Sequence, residues 1–239
     1  DFASQVWRRG FPDGSPQTDI VLNGTFLNNT TFAPIIGMDR RGLLQDRTKR
    51  RRQGLPAELR MAKLEDTGAQ QQNYVYADWV NARITISTEA DQVPIAPGNK
   101  LSDEIRGGRR IAVFQSPAPI LDFFSVQSAR YAVAEKQAGP IRLSVYHDPR
   151  HTWNVPAMLS AMETSLAYYQ RNFGPYQFGY ARILEFPGYA SFAQAFAGTM
   201  PYSESIGFAA DVRDPDTIDY VTYVTAHEVA HQYWAHQIV

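Results

Sequence analysis

The segment Tyr223-Val-Thr-Ala-His-Glu-Val-Ala-His-Gln-Tyr-Trp-Ala-His236 contains the pattern His-Glu-x-x-His, with His227, Glu228 and His231 at its fixed positions. Residues four apart lie on one face of an α-helix, so a helix here would direct both imidazoles to one side. Two histidines at this spacing can bind one metal ion, with the glutamate placed to take a proton from water. The segment therefore predicts a helix that carries part of a metal site.

Apolar and aromatic residues surround this pattern, and they predict that the helix is buried. They are Tyr220, Val221, Tyr223, Val224, Val229, Tyr233 and Trp234. Two histidines and a glutamate would be costly to bury without partners, because unpaired buried polar groups destabilise a fold. A bound metal ion would be the natural partner. The alternative is a helix with two solvent-facing histidines and no metal.

The composition limits the kind of site that the chain can build. There is no cysteine, so disulfides and thiolate ligands are excluded, and histidines and carboxylates are the strong metal ligands that remain. The formal net charge of −1 gives no overall field that would attract nucleic acid. The hydrophobic content of 44% is ample for a packed core, and no apolar run reaches the ~18 residues of a membrane span.

Neither end of the sequence carries a terminal signal. The first residue is Asp1 rather than methionine, and no signal peptide follows it. The last residues before Val239 lack the glycine or proline that commonly stops a helix. We therefore expect the chain to be a piece of a longer protein.

Residues 1–150 are predicted to be mainly β-structure. Apolar residues alternate with polar ones from Asn73 to Thr88, which is typical of strands. Three further strands are predicted from their composition and their flanking turns: Arg109 to Gln115, Ile120 to Val126 and Ile141 to Tyr146.

Residues 151–239 change to a mixed pattern. Apolar residues three and four apart predict a helix from Asn154, as N-cap, to Phe173. A buried strand follows from Tyr180 to Phe186, then an edge segment, and Asp214 and Asp216 offer caps for the last helix. The fold class is therefore predicted as α+β, with a domain boundary near residues 148–153.

A basic run between residues 40 and 52 admits two interpretations. It contains Arg40, Arg41, Arg47, Lys49, Arg50, Arg51 and Arg52. A nucleic-acid or anionic-membrane surface is one of them. Acidic residues interrupt the run and no aromatic residues are interleaved, so we favour a solvated loop or a short exposed helix.

Several motifs together resemble the aminopeptidase N-like zinc metallopeptidases, the gluzincins. His227-Glu-Val-Ala-His-Gln-Tyr-Trp234 resembles their H-E-x-x-H-Q-x-W/F run. Gly108 to Phe114 and Pro119 to Phe124 look like strands of the family's N-terminal β saddle domain, and Asn154 to Phe173 looks like the first helix of its thermolysin-like domain. Asn172 to Tyr176, Leu184 to Pro187 and Phe196 to Glu204 look closer to a branch in which the peptidase region is fused to an ABC-transporter permease.

The resemblance implies roles for the helix motif. His227 and His231 would be two zinc ligands, and Glu228 the general base that later protonates the leaving amine. The family's third ligand, a glutamate, falls at position 250, after Val239, and its tyrosine that stabilises the tetrahedral intermediate lies further on. A catalytic zinc needs three protein ligands. We therefore expect this fragment to be inactive and its zinc site to be incomplete. His236, roughly 100° from the pair if the helix continued, would be a poor third ligand.

The resemblance also indicates where a peptide substrate would bind. Ala195, Phe196, Ala197, Gly198 and Glu204 are the expected substrate-binding residues. The family's G-A-M-E-N segment aligns with Phe192 to Phe196, and Ala195 stands where its glutamate binds the substrate's α-amino group. Either another carboxylate, such as Glu204, has this role, or the protein is not a strict aminopeptidase. A plain edge strand packed through small residues is the structural alternative.

Two functions follow from these residues. The first is zinc-dependent peptide hydrolysis in the full-length parent. The second is a non-catalytic binding or structural domain of a transporter, which Ala195 favours and the intact His-Glu-His motif opposes. The branch implies an extracytoplasmic location, with the membrane reached only through other parts of the parent. No nucleic-acid partner is expected.

Overall fold

The computed structural model describes residues 2–5, 20–21, 24–60, 62–63, 65–70 and 78–237. Within them, thirteen strands follow one another in chain order. These are β1 (Ile20–Val21), β2 (Gly24–Asn28), β3 (Trp79–Val80), β4 (Arg83–Glu89), β5 (Val93–Ile95), β6 (Asn99–Arg106), β7 (Arg109–Gln115), β8 (Ile120–Leu121), β9 (Ser125–Ala129), β10 (Ala132–Ala138), β11 (Ile141–His147), β12 (Tyr180–Phe186) and β13 (Thr199–Ser203).

The described part of the chain contains five α-helices, which lie between and after the strands. They are α1 (Asn29–Phe32), α2 (Arg47–Arg52), α3 (Thr67–Gln70), α4 (Val155–Phe173) and α5 (Tyr220–His231). A 3₁₀ turn at Arg40–Gly42 and a π-helical turn at Glu204–Phe208 complete the helical elements. Among the described residues, no helix combines the length and apolar character that crossing a membrane requires.

The N-terminal half is built from antiparallel sheets. One sheet has the order β1-β2-β9-β5, another β4-β7-β6, and β3 pairs with β8. The central strand β7 pairs with β4 from Arg109 to Gln115, and β6 covers its other edge. Antiparallel pairing needs only short connections, so consecutive strands can form these sheets without helices between them.

The C-terminal half has a mixed sheet with the order β10-β11-β12-β13. β10 and β11 form an antiparallel pair, whereas β11, β12 and β13 run parallel. Parallel neighbours need a long crossover, and α4 provides it between β11 and β12. Antiparallel and parallel sheets with few helices make the chain α+β, as predicted.

Strand β12 connects the two halves because one of its faces packs against the N-terminal sheets and the other against the C-terminal helices. On one face, Phe186 stacks on Phe26 of β2, with 5.1 Å between ring centroids. On the same face, the Tyr180 hydroxyl accepts a hydrogen bond of 2.8 Å from the backbone N–H of Gly98. On the other face, Ile183 packs in the core with residues of α4 and α5. Burial on both faces explains the nearly continuous apolar sequence of this strand.

Several sequence predictions agree with these elements. The strands from Arg109, Ile141 and Tyr180 are confirmed, as are the helix that ends at Phe173 and a short helix, α2, in the basic run. β4 confirms the C-terminal part of the predicted strand region from Asn73, whereas residues 73–77 lie outside the described part of the chain.

The prediction of one strand from Ile120 to Val126 was wrong, because β8 and β9 are separate. Asn29 of α1 explains the break. Its side chain donates to the Asp122 carbonyl oxygen at 3.1 Å and accepts from the Phe124 N–H at 3.3 Å. This contact comes from a residue more than ninety positions away, so it is not visible locally.

The predicted helix caps also need correction. Asn154 lies before α4 but makes no capping bond; its side chain donates instead to the carbonyl oxygens of Gly207 and Ala210. Helix α5 is capped by Asp219, which accepts from the Thr222 N–H at 3.0 Å, rather than by Asp214 or Asp216.

The predicted domain boundary near residues 148–153 stays a prediction. β10 and β11 precede this boundary and yet share one sheet with β12 and β13, which follow it. The sheet of the C-terminal half therefore begins at Ala132, and a separation at the boundary would divide it.

Candidate metal and peptidase site

Helix α5 brings the two histidines of the motif together. The Nε2 atoms of His227 and His231 lie 3.1 Å apart, and their rings are perpendicular, with 4.7 Å between centroids. Two nitrogens bound to a tetrahedral zinc at ~2.0–2.1 Å would be about 3.3 Å apart. The helix therefore places these two atoms close to the separation that a shared zinc ion requires.

The tautomer of His231 also suits a ligand. Its Nδ1 lies 3.1 Å from the carbonyl oxygen of Trp234. A carbonyl oxygen only accepts, so Nδ1 carries the proton and Nε2 keeps its lone pair. A hydrogen bond from the second nitrogen of this kind orients metal-binding histidines in many proteins.

The prediction that this helix is buried was only partly right. Val221, Val224 and Val229 are buried, but Tyr220 and Tyr223 are exposed. His227 is exposed and His231 is half-buried. The histidine pair therefore opens towards solvent, and burial of the imidazoles does not by itself require a metal.

Glu228 differs from the histidines because it is buried. Only 6% of its surface is exposed, and burial raises the pKa of its carboxyl group; His231 and a backbone hydrogen bond from Ala195 oppose that shift. Its Oε2 atom has no hydrogen-bond partner among the described residues. A buried carboxylate oxygen without a hydrogen-bond partner destabilises the fold. The Oε2 atom is therefore free to accept a hydrogen bond from a water molecule or to take up a proton.

The segment Phe192–Phe196 lies beside Glu228. It returns on β13 as a hairpin, with bridges from Ala193 to Tyr202 and from Phe196 to Thr199. The alternative of a plain edge strand at Phe196–Met200 holds for Thr199 and Met200, which belong to the edge strand β13. Ala197 and Gly198 form the turn that leads into it. The backbone carbonyl oxygen of Ala195 lies 3.0 Å from Nε2 of His236.

The predicted substrate residues are mostly buried. Ala195, Phe196 and Ala197 are 1% exposed or less. Gly198 has φ +67°, and a Cβ there would lie 2.4 Å from the Tyr180 ring. The exposed fractions include the backbone, and Gly198 is buried as well, so the structure exposes none of these four residues to a substrate. Ala195 also offers no carboxylate to an α-ammonium group.

Glu204 belongs to a different group of side chains. It accepts a hydrogen bond of 2.8 Å from the Gly188 N–H, and its carboxylate lies near His151 and Glu185. Its described contacts do not include Glu228 or the histidine pair.

His236 is buried, and its Nε2 atom contacts a backbone oxygen rather than the histidine pair. α5 ends at His231, so the angle calculated for a continued helix does not apply. Burial lowers the pKa of His236, and its Nε2 donates to the Ala195 carbonyl oxygen. The expectation that it is a poor third ligand agrees with this contact.

Gln232 is a positioning residue that the sequence reasoning missed. Its side chain is fully buried; Oε1 accepts from the Gly198 N–H at 2.7 Å, and Nε2 donates to the Phe196 carbonyl oxygen at 3.0 Å. The amide thus fixes the turn at Gly198 onto the end of α5. The position of Gln232 directly after His231 was the sequence feature that could have identified it.

No protein-family model matches the sequence, and no curated protein matches it either. The interpretation of the site therefore rests on its geometry and on the motif.

Proposed function

We propose that this chain carries part of the active site of a zinc metallopeptidase of the gluzincin type. The observation that carries the proposal is the 3.1 Å separation of the His227 and His231 Nε2 atoms. The buried Glu228 follows His227 in the same helix, and His231 acts on its carboxyl group electrostatically. A thermolysin-like catalytic domain beginning in the C-terminal half is the architecture that this proposal implies. An extracytoplasmic location beside a transporter remains part of the same proposal.

Each of the three side chains has a defined part in peptide hydrolysis. His227 and His231 would hold the zinc ion, which supplies Lewis-acid polarisation of the peptide carbonyl when bound. Glu228 takes the proton of the attacking water and returns it to the leaving amine. Burial raises the pKa of Glu228, and a base whose pKa lies nearer the working pH transfers protons more efficiently.

Specificity for a free amino terminus is not supported by Ala195. Its methyl group cannot bind an ammonium ion, and Glu204 interacts with Gly188. We therefore propose peptide hydrolysis, and not aminopeptidase activity in the strict sense.

A polypeptide that continues beyond Val239 tests the proposal, since two protein ligands are fewer than a catalytic zinc requires. We expect it to cleave peptides, to lose activity with a chelator and to regain it with zinc. Glu228→Gln should lower the rate about 10²–10⁴-fold, because the general base is removed. Glu163→Gln, on an exposed ion pair with Lys136, is the matched control and should leave the rate unchanged.

The second candidate is a non-catalytic domain that retains the fold, and the specific observation in its favour is Ala195. It predicts that the longer polypeptide cleaves no peptide even when loaded with zinc. Equal rates for Glu228→Gln and the parent would contradict the proposed peptidase mechanism.

A further inference from the structure

A second group of potential metal ligands lies at the edge of the mixed sheet where its parallel strands end. We call His151, Glu185 and Glu204 the sheet-end cluster. One ligand atom from each residue lies within 4.8 Å of those of the other two. His151 precedes α4, Glu185 belongs to β12 and Glu204 directly follows β13.

The topology of the sheet explains why these residues meet. β11, β12 and β13 are parallel, so their carboxyl ends lie at one edge. Ligands in open α/β sheets bind outside the carboxyl ends of such strands, where the connections diverge. His151 follows the end of β11, so all three side chains come from this edge.

Glu185 is held in a fixed position at the centre of the cluster. It is 5% exposed; Oε1 lies 2.5 Å from Nδ1 of His151, and Oε2 accepts from the Asp148 N–H at 2.6 Å. Glu204 is oriented by the Gly188 N–H. Ligands held by other groups before a metal arrives lose little freedom when it binds.

The cluster adjoins a cleft of about 390 Å³, and Glu185 and Glu204 line this cleft. Two arginines at the cleft have acidic partners: Arg150 forms an ion pair with Asp148, and Arg130 with Asp91. Arg150 therefore makes its ion pair with Asp148 rather than with Glu185 or Glu204, although its charge also acts on both glutamates. A cleft beside them gives a cation access from solvent, and a buried carboxylate favours a partner of opposite charge.

We propose that the sheet-end cluster binds one divalent transition-metal ion, with zinc as the probe that fits its ligands. Imidazole nitrogen suits zinc and its first-row neighbours, and carboxylate oxygens complete the set. Tetrahedral ligands would lie about 3.3 Å apart, so binding draws Glu204 inwards and lengthens the contact between His151 and Glu185. Glu204 is only half-buried and can make this movement. The proposal does not depend on the peptidase function.

The test uses the 239-residue chain with His227→Asn and His231→Asn, which removes the histidine pair of α5. After dialysis against a chelator, calorimetric titration with Zn²⁺ should show one bound equivalent. Glu204→Gln and His151→Asn, each added separately, should weaken binding at least ~10-fold. Glu163→Gln is the matched control and should bind as the background does.

Glu204→Gln keeps an oxygen that can accept from Gly188, so this variant should fold, and circular dichroism checks that it does. A second readout uses Trp153, whose ring centroid lies 5.6 Å from that of His151. Co²⁺ should quench the tryptophan fluorescence of the chain with His227→Asn and His231→Asn. This quenching should be lost when Trp153→Phe is added. No zinc binding in the background, or equal affinity after Glu204→Gln, would overturn the proposal.

Discussion

The two histidine-containing groups of this protein are built in opposite ways. In the α5 pair, formed by His227 and His231, two imidazoles face each other at 3.1 Å, and the only acidic neighbour within the motif is the buried Glu228. In the sheet-end cluster, one imidazole already has a carboxylate partner at 2.5 Å. The pair therefore depends on a ligand from elsewhere to neutralise a bound cation, whereas the cluster brings its own negative charge.

The two groups also differ in how they are supported. The α5 pair gets its spacing from one helix, whose end is fixed to the turn at Gly198 by Gln232. The sheet-end cluster gets its geometry from three parallel strands. Changes at the turn should therefore affect the α5 pair first, and they give ways to test the comparison.

The largest effect on stability should come from Gly198→Ala. A Cβ there meets the Tyr180 ring at 2.4 Å, and φ is +67°. Left-handed backbone costs about 1–2 kcal/mol for a non-glycine residue, and overpacking about 1–3 kcal/mol. We expect a loss of about 3 kcal/mol or more in the free energy of unfolding, measured by urea denaturation.

Gly139→Ala is the matched control for Gly198→Ala. Gly139 has φ +58°, but no atom of the described residues lies within 4 Å of the position that a Cβ would take. It should lose only the backbone part, about 1–2 kcal/mol. Equal losses in the two variants would show that the contact of the turn with Tyr180 contributes nothing.

The next effect in size should come from Gln232→Ala. The change leaves the Gly198 N–H buried without its partner, whereas the Phe196 carbonyl oxygen keeps its hydrogen bond from the Thr199 N–H. An unpaired buried group costs about 1–3 kcal/mol, so we expect a loss of about 1–3 kcal/mol and weaker zinc binding by the α5 pair. Zinc binding by the sheet-end cluster should not change.

Gln137→Ala serves as the control for Gln232→Ala, because Gln137 is exposed. Its effect should stay within about 0.5 kcal/mol. If Gln232→Ala weakened zinc binding by the α5 pair and by the sheet-end cluster equally, the inference that different elements support them would be wrong.

The sequence could predict the α5 pair but not the sheet-end cluster, because one helix forms the first and three strands bring the second together. His227, Glu228 and His231 lie within five residues, and helical periodicity alone brings them to one place. His151, Glu185 and Glu204 are separated by more than thirty and by almost twenty residues. Only the pairing of β11, β12 and β13 unites them, and a single sequence does not contain that register.

The strands show the same limit. Tyr180–Phe186 was predictable because burial on both faces makes its sequence nearly continuously apolar. β6 was missed, since seven of its eight residues are exposed and it lacks an apolar face. The exposure of Tyr220 and Tyr223 was also missed, because composition does not reveal which apolar residues are covered.

The smallest predicted effect concerns Asp103, whose carboxylate pairs with Arg110. It serves for comparison with the buried glutamates. The hydrogen bond from Arg110 lowers the pKa of Asp103 from 3.8 to about 2. A lowered folded-state pKa means that the stabilisation is present above pH 3.8 and is lost as pH falls towards 2. Asp103→Asn should cost about 1 kcal/mol at pH 7, and this difference from the parent should shrink between pH 4 and pH 2. A pH-independent difference would contradict the ion-pair explanation.

The central claim is that the α5 pair holds zinc directly beside Glu228. Anomalous diffraction at the zinc edge, on crystals grown with zinc, tests it most directly. The account predicts a peak ~2.0–2.1 Å from the Nε2 atoms of both His227 and His231, with the Glu228 carboxylate beside it. No peak at these atoms, or imidazoles turned apart in zinc-containing crystals, would contradict it.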